Sequence, residues 1–133
     1  MTDEEIVNAV RQATSEALGL GVAEVKPEST LMDELGAESI DLLDILFRLE
    51  RKIGVKIKAA DVSAYVQGDV PQGGFGDDDG IVTPAAVAQL KRIMPQVDFD
   101  AIAATLESEK VMMLFTVANL AELVKSRAAT PAA

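Results

Sequence analysis

Ser39 opens the most chemically suggestive stretch of the chain, Glu34-Leu35-Gly36-Ala37-Glu38-Ser39-Ile40-Asp41-Leu42-Leu43-Asp44. The pattern places a hydroxyl at the first turn of a helix, after a glycine-containing loop, with carboxylates on either side. A Ser in that place can do three things. It can cap the helix, a role Ser fills often. It can act as a nucleophile, but that needs a base, and the sequence has no His to supply one. It can also accept a covalent phosphate-linked group, because free N–H groups and the positive end of the helix dipole tolerate a phosphodiester there. In that third role the hydroxyl lies beside an apolar ridge of Ile40, Leu43 and Phe47, ringed by Glu38, Asp41 and Asp44. The residues describe an attachment point next to a docking surface, and leave open which group is attached.

Elsewhere the chemistry is sparse. With no Cys, disulfides, thiolate nucleophiles and Cys-containing zinc sites are excluded. With no His, the commonest general base and metal ligand is missing. Asp77-Asp78-Asp79-Gly80 lacks the alternating spacing and the later Glu of a calcium loop, and reads as a solvated acidic turn. Met112 and Met113 are expected in the core, and Lys91, Arg92, Lys125 and Arg127 on the solvent face. Neither a catalytic residue nor a metal ligand is assigned.

The elements that must position Ser39 are helical. Thr2 and Glu5 form a capping-box pattern, Ile6, Val10, Ala13 and Ala17 follow at helical spacing, and Gly19 and Gly21 end the first helix. A long connection from Val22 to Leu35 is punctuated by Pro27 and anchored by Leu31 and Leu35, and Gly36 closes it. The second helix runs from about Ser39 to Ile53 and stops at Gly54. Its apolar residues form two stripes. Leu42, Ile45, Leu46, Leu49 and Ile53 make a core face. Ile40, Leu43 and Phe47 fall roughly opposite, flanked by Asp44 and Arg51 on one edge and Glu50 on the other. Such a ridge meets partners.

Beyond a short extended piece at 55–57, residues 68–80 read as a flexible loop rich in Gly and Asp. Thr83-Pro84 starts a helix carrying Val87, Leu90, Ile93 and Met94 that ends before Pro95. Asp98 or Asp100 caps a short segment with Ile102 and Leu106. Thr116 caps a last helix with Val117, Leu120, Leu123 and Val124 that ends near Arg127, and the tail 128–133 is expected to fray. The chain is predicted to be all-α and to form a single domain over residues 1–133.

Composition bounds the partners. Hydrophobic residues are 49% and charged residues 26%, which is globular and not disordered composition. Twelve Lys and Arg against twenty-two Asp and Glu give a net charge of −10, which disfavours nucleic acid and anionic membranes and favours a basic protein partner. The negative charge is concentrated early: residues 1–47 hold eleven acids against only Arg11 and Lys26. The acidic opening Met1-Thr2-Asp3-Glu4-Glu5 is unlike a secretory signal, and the apolar run Val111 to Phe115 is far below the roughly 18 residues of a membrane span. A cytoplasmic monomer is expected.

Leu35-Gly36-Ala37-Glu38-Ser39-Ile40-Asp41, followed by Leu43, Ile45, Leu46, Leu49, Glu50, Ile53 and Gly54, resembles an acyl carrier protein. The family's signature is Asp-Ser-Leu at the start of the second helix of a four-helix bundle; Glu38 and Ile40 stand where Asp and Leu are usual. The likeness covers residues 1 to about 58 and returns at about 113–127, where Phe115-Thr116-Val117-Ala118-Asn119-Leu120 is similar to the lead-in to the last helix. It implies that Ser39 carries 4′-phosphopantetheine, drawn from coenzyme A by a phosphopantetheinyl transferase, whose thiol holds acyl groups as thioesters. It further implies docking of basic patches on ketosynthase, reductase or acyltransferase enzymes against Glu38, Ile40, Asp41, Asp44 and Phe47. The chain would transport acyl cargo and not catalyse.

Two departures accompany the likeness. Arg48, Arg51 and Lys52 make the second half of the second helix basic, and the region from about 59 to 112 is an insertion carrying extra helices. Leu43-Asp44-Ile45 and Gly54-Val55-Lys56-Ile57 are similar to specialised bacterial carriers of very long acyl chains for lipid A. The insertion helices are expected to enlarge or gate the acyl shelter; equal protection after deletion of residues 68–108 would count against that. A peptidyl carrier, or an unmodified acidic adaptor that binds through its second helix, are the alternative readings.

Overall fold

The computed structural model describes residues 2–71 and 73–129. Six α-helices follow one another: α1 (Asp3–Leu18), α2 (Ser39–Ile53), α3 (Ala59–Gln67), α4 (Pro84–Ile93), α5 (Phe99–Ile102) and α6 (Val117–Ala129), with 3₁₀ turns at Val22–Glu24 and Ser108–Leu114. Among the described residues there is no strand, and the only β pairing is three isolated bridges, so the all-α expectation holds.

Local sequence sets the ends of each helix. Thr2 Oγ1 accepts from the Glu5 N–H at 3.2 Å and the Thr2 N–H donates to Glu5 Oε1 at 3.3 Å, closing the capping box on α1. The Thr2 N–H and the Thr2 hydroxyl, both donating to Glu5 Oε1, hold the Glu5 carboxyl below its ordinary pKa. Gly19, at φ 70°, ends α1 in the left-handed conformation that Gly adopts freely. Thr83 caps α4 with Pro84 at its first position, and Thr116 Oγ1 accepts from the Asn119 N–H at 3.1 Å as α6 begins.

The bundle is α1, α2 and α6, with α1 packed on both others, α3 bridging α2 to α4, and α5 against α4. One core runs through all of it. Val10 and Ala13 of α1, Ile45 and Leu49 of α2, and Leu120 and Val124 of α6 are fully buried, and so are Leu90 and Met94 of the α4 region. Among the described residues Phe99 and Phe115 are its only buried rings. Polar joints fasten the added helices: Asn119 Nδ2 donates to the Ile93 carbonyl at 3.0 Å, Gln96 Nε2 donates to Asn119 Oδ1 at 2.8 Å, and Gln89 Nε2 donates to the Tyr65 carbonyl at 3.1 Å.

Several expectations change. The sequence reading gave no helix at 59–67, where α3 stands. Residues 55–57 form no strand, although Ile57 is buried. The loop at 68–80 is tied down: Asp77 Oδ1 accepts from the Asp79 and Ile81 N–H groups at 2.9 and 3.0 Å, and the Thr83 N–H reaches the Phe75 carbonyl at 3.0 Å. The acidic triplet thus begins with a turn-forming Asp, and no metal-binding cluster occurs among the described residues. α5 is a single turn that stops before Leu106, and its N-cap Asp98 makes no side-chain cap bond. Met113 is exposed and not in the core. α6 continues past Arg127 to Ala129, so residues 128–129 are helical, and the rest of the expected frayed tail, 130–133, lies outside the described residues. Of the four cations expected on the solvent face, Lys91 pairs with Asp100, Lys125 with Asp3 and Arg127 with Asp61, while Arg92 is exposed without an ion pair among the described residues.

Candidate functional site

The long connection into α2 is held on both sides before it reaches Ser39. Arg11 Nε donates to the Val25 carbonyl at 2.6 Å and Arg11 Nη2 to the Val22 carbonyl at 3.0 Å, tying its start to α1. The Leu31 N–H donates to the Phe115 carbonyl at 3.0 Å, the Val117 N–H to the Ser29 carbonyl at 3.0 Å and the Ala118 N–H to the Pro27 carbonyl at 2.8 Å, tying its middle to the start of α6. Thr30 and Glu34 exchange bonds as a small capping pair, and the Ala37 N–H donates to the Leu31 carbonyl at 2.8 Å. Gly36 turns the chain at φ 72°. Leu31 and Ala37 are buried and Leu35 is half-buried. The approach to Ser39 is therefore fixed by backbone bonds and buried side chains.

Ser39 is not the cap of α2. Glu38 occupies the N-cap position in extended conformation (φ −103°, ψ 174°), and its N–H donates to Asp41 Oδ2 at 2.8 Å. Ser39 is the first helical residue and is exposed. Among the described residues its Oγ has no hydrogen-bond partner, and the N–H groups of Ser39 and Ile40 have no acceptor, as expected of a helix start. A free hydroxyl, unclaimed backbone donors and the dipole of a 15-residue helix together fit a phosphodiester. The Oγ has room to carry it without breaking any bond.

Beside Ser39 the ridge stands out as read from the sequence. Ile40 is 70% exposed, Leu43 51% and Phe47 57%, while Leu42, Ile45, Leu46 and Leu49 on the other face are buried. The expected docking residues Glu38, Ile40, Asp41, Asp44 and Phe47 thus all lie off the buried face of α2, with the hydroxyl at its head. Glu38 is exposed, and Asp41 and Asp44 are half-buried.

The structure adds a charge network that the sequence did not reveal. Arg48 Nε meets Asp44 Oδ1 at 3.0 Å and Arg48 Nη1 meets Glu16 Oε1 at 3.5 Å; Lys52 Nζ meets Glu16 Oε2 at 2.9 Å. The Lys52 hydrogen bond, with the positive charges of Lys52 and Arg48, holds the Glu16 carboxyl below its ordinary value. Arg51 lies over the Phe47 ring, its Cζ 5.8 Å from the centroid. These side chains line a surface hollow of about 340 Å³. Only the i,i+4 spacing of Asp44 and Arg48 signalled any of this; the Glu16 contacts need α1 and α2 to be packed together.

Comparison with known proteins agrees with this geometry. The phosphopantetheine attachment site family matches residues 8–66, from α1 through most of α3. An acyl carrier protein of Thermotoga maritima is 42% identical over 59 residues, which span 44% of this chain and 73% of the relative. One from an Exiguobacterium species is 35% identical over 76 residues, 50% of this chain and 96% of the relative. One from Rubrobacter xylanophilus is 35% identical over 57 residues, 43% of this chain and 70% of the relative. No solved structure matches the chain. Each alignment leaves half of the chain or more unmatched, whereas most of each relative is accounted for. On these matches the chain belongs to the acyl carrier protein family, whose prosthetic group is covalently attached 4′-phosphopantetheine.

Proposed function

We propose that Ser39 is the attachment residue and that the protein ferries acyl groups between cytoplasmic enzymes of a specialised fatty-acid or lipid pathway. The exposed Ser39 hydroxyl, free of hydrogen bonds to the described residues at the head of α2 and beside three exposed apolar side chains, carries this reading. When bound, the prosthetic group supplies a thiol on which acyl cargo rides as a thioester. The chain's own residues do the rest. The fixed loop holds the Ser39 Oγ outward for a phosphopantetheinyl transferase. Glu38, Asp41 and Asp44 draw in basic surfaces on ketosynthase, reductase or acyltransferase partners, and Ile40 and Phe47 supply apolar contact. Carboxylates at the surface raise encounter rates more than lifetimes, which suits a shuttle. Carriage without catalysis is supported by the sequence, which offers neither His nor Cys beside the hydroxyl.

We further propose that residues 1–133 form one carrier domain in which the segment after α3 is an insertion. Intact mass after incubation with coenzyme A and a broad-specificity phosphopantetheinyl transferase tests the attachment. Wild type is expected to gain one phosphopantetheine and Ser39→Ala none. No gain by folded wild-type protein with several transferases would overturn the proposal in favour of an unmodified adaptor.

A further inference from the structure

Arg51 extends the exposed ridge. It lies one helical step beyond Phe47 on the same side of α2, is itself exposed, and stacks over the ring with 5.8 Å between Cζ and the centroid. The other two cations of this half-helix are committed, Arg48 to Asp44 and Glu16, and Lys52 to Glu16. Arg51 has no carboxylate within ion-pairing distance among the described residues. The ridge therefore begins with two acids at Glu38 and Asp41, continues through Ile40, Leu43 and Phe47, and ends at an unpaired guanidinium about 18 Å further along the helix, from 1.5 Å per residue. Stacking on Phe47 restrains the planar fork while leaving its N–H groups to solvent. Aromatic and Arg side chains so placed are common anchors at protein interfaces.

Resting on the carrier reading above, we infer that the enzyme surface docking on α2 is bipolar: cationic where it meets Glu38 and Asp41, apolar over the ridge, and carboxylate-bearing where it meets Arg51. A uniformly basic patch would set like charge against like at Arg51, so one residue attracts one class of enzyme and repels another. A second copy of this chain, lying antiparallel, would also satisfy the charges. It would cover the first turn of α2, however, where a transferase must reach the Ser39 hydroxyl.

Two designed amphipathic helical peptides with the same length and apolar face test the inference. One carries Lys at one end and Glu at the other; the second carries Lys at both ends. Each is titrated into isotope-labelled wild type, Arg51→Glu and the milder Arg51→Gln, with circular dichroism confirming that each variant is folded. Wild type is expected to bind the bipolar peptide about fivefold more tightly than the all-Lys peptide, the upper range for an exposed ion pair. Arg51→Glu should reverse that preference and Arg51→Gln abolish it, with amide shifts confined to the Ser39–Arg51 face. Equal affinities in wild type, a preference indifferent to Arg51, or no binding of either peptide overturns the inference. So does concentration-dependent self-association of the peptide-free chain that Arg51→Glu removes, which would assign the ridge to a second copy. Loading of wild-type Ser39, read separately by mass, keeps the two readings apart: if loading succeeds and the peptide preference fails, only the bipolar surface is lost.

Discussion

Because Glu38 and not Ser39 caps α2, the Ser39 hydroxyl is free for chemistry and the helix does not depend on it. Ser39→Ala is expected to leave stability within about 0.5 kcal/mol of wild type, the usual range for a surface substitution away from caps and cores. Asp41→Ala removes the carboxylate that accepts from the Glu38 N–H at 2.8 Å and favours the helix N-terminus, and should cost about 0.5–1 kcal/mol. Urea denaturation of the two variants checks both values; a loss of stability in Ser39→Ala matching that of Asp41→Ala would mean that the hydroxyl caps after all. At this scale the exposed Ile40, Leu43 and Phe47 ridge was legible because it follows from helical spacing, and the place of Ser39 at the head of α2 was legible from the Gly-containing loop before it and the apolar periodicity after it. The sequence left the cap open between Ser39 and its neighbours because Ser is a strong capping type, and the conformation of the preceding loop decided the position by one residue. The ion pairs of Glu16 with Arg48 and Lys52 were not legible, since the partners are 32 and 36 residues apart in the chain.

Helix boundaries were legible wherever a cap marked them, as at Thr2, Gly19, Gly54, Thr83 and Thr116. α3 was missed because its signal is short: Val62, Tyr65 and Val66 make barely one apolar stripe, and the Asp61 side chain that accepts from the Lys58 N–H at 2.8 Å is an unusual start. Tertiary contacts hold this helix. Asp61 pairs with Arg127 of α6, and the Lys58 N–H, with the nearby positive charge of Arg127, holds the Asp61 carboxyl below its ordinary value. Gly68 ends α3 at φ 55°, ψ −133°, a conformation that side chains resist, and a Cβ there would come within 2.3 Å of the Gln89 amide. Gln89 is buried and spends that amide on the Tyr65 carbonyl, so it cannot swing aside without losing the bond. Gly68→Ala should therefore destabilise the fold by about 2–3 kcal/mol, combining backbone strain with the lost contact. Adding Gln89→Ala should relieve the steric part, giving a coupling above about 0.5 kcal/mol in a double-mutant cycle; strictly additive effects would show that α3 and α4 do not meet at this joint.

The added helices and the carrier bundle share one core, and this alters what removing them would test. Val82, Ala86, Leu90, Met94 and Phe99 are buried in the same cluster as Val10, Leu49 and Val124. Asn119, whose side chain also accepts from the Thr116 N–H at 2.9 Å, binds the end of α4 to the start of α6. Deleting residues 68–108 would thus strip apolar cover from the bundle as well as remove any acyl shelter, so altered cargo protection in that variant would not isolate the role of the insertion. Single substitutions are cleaner. Leu90→Ala is expected to cost about 2–5 kcal/mol, as buried Leu truncations do. If the chain is one cooperative domain, that loss is shared. Urea unfolding stays a single transition, and amides in α1 and α6 lose hydrogen-exchange protection by the same free energy as those in α4. A separate insertion would instead give two transitions, with α1 and α6 protected as in wild type while α4 opens early. The shared outcome would mean that the added helices and the bundle unfold as one unit, because Leu90, Met94 and Phe99 are packed in the same close-packed core as Val10, Leu49 and Val124 and none of it can open without exposing the rest.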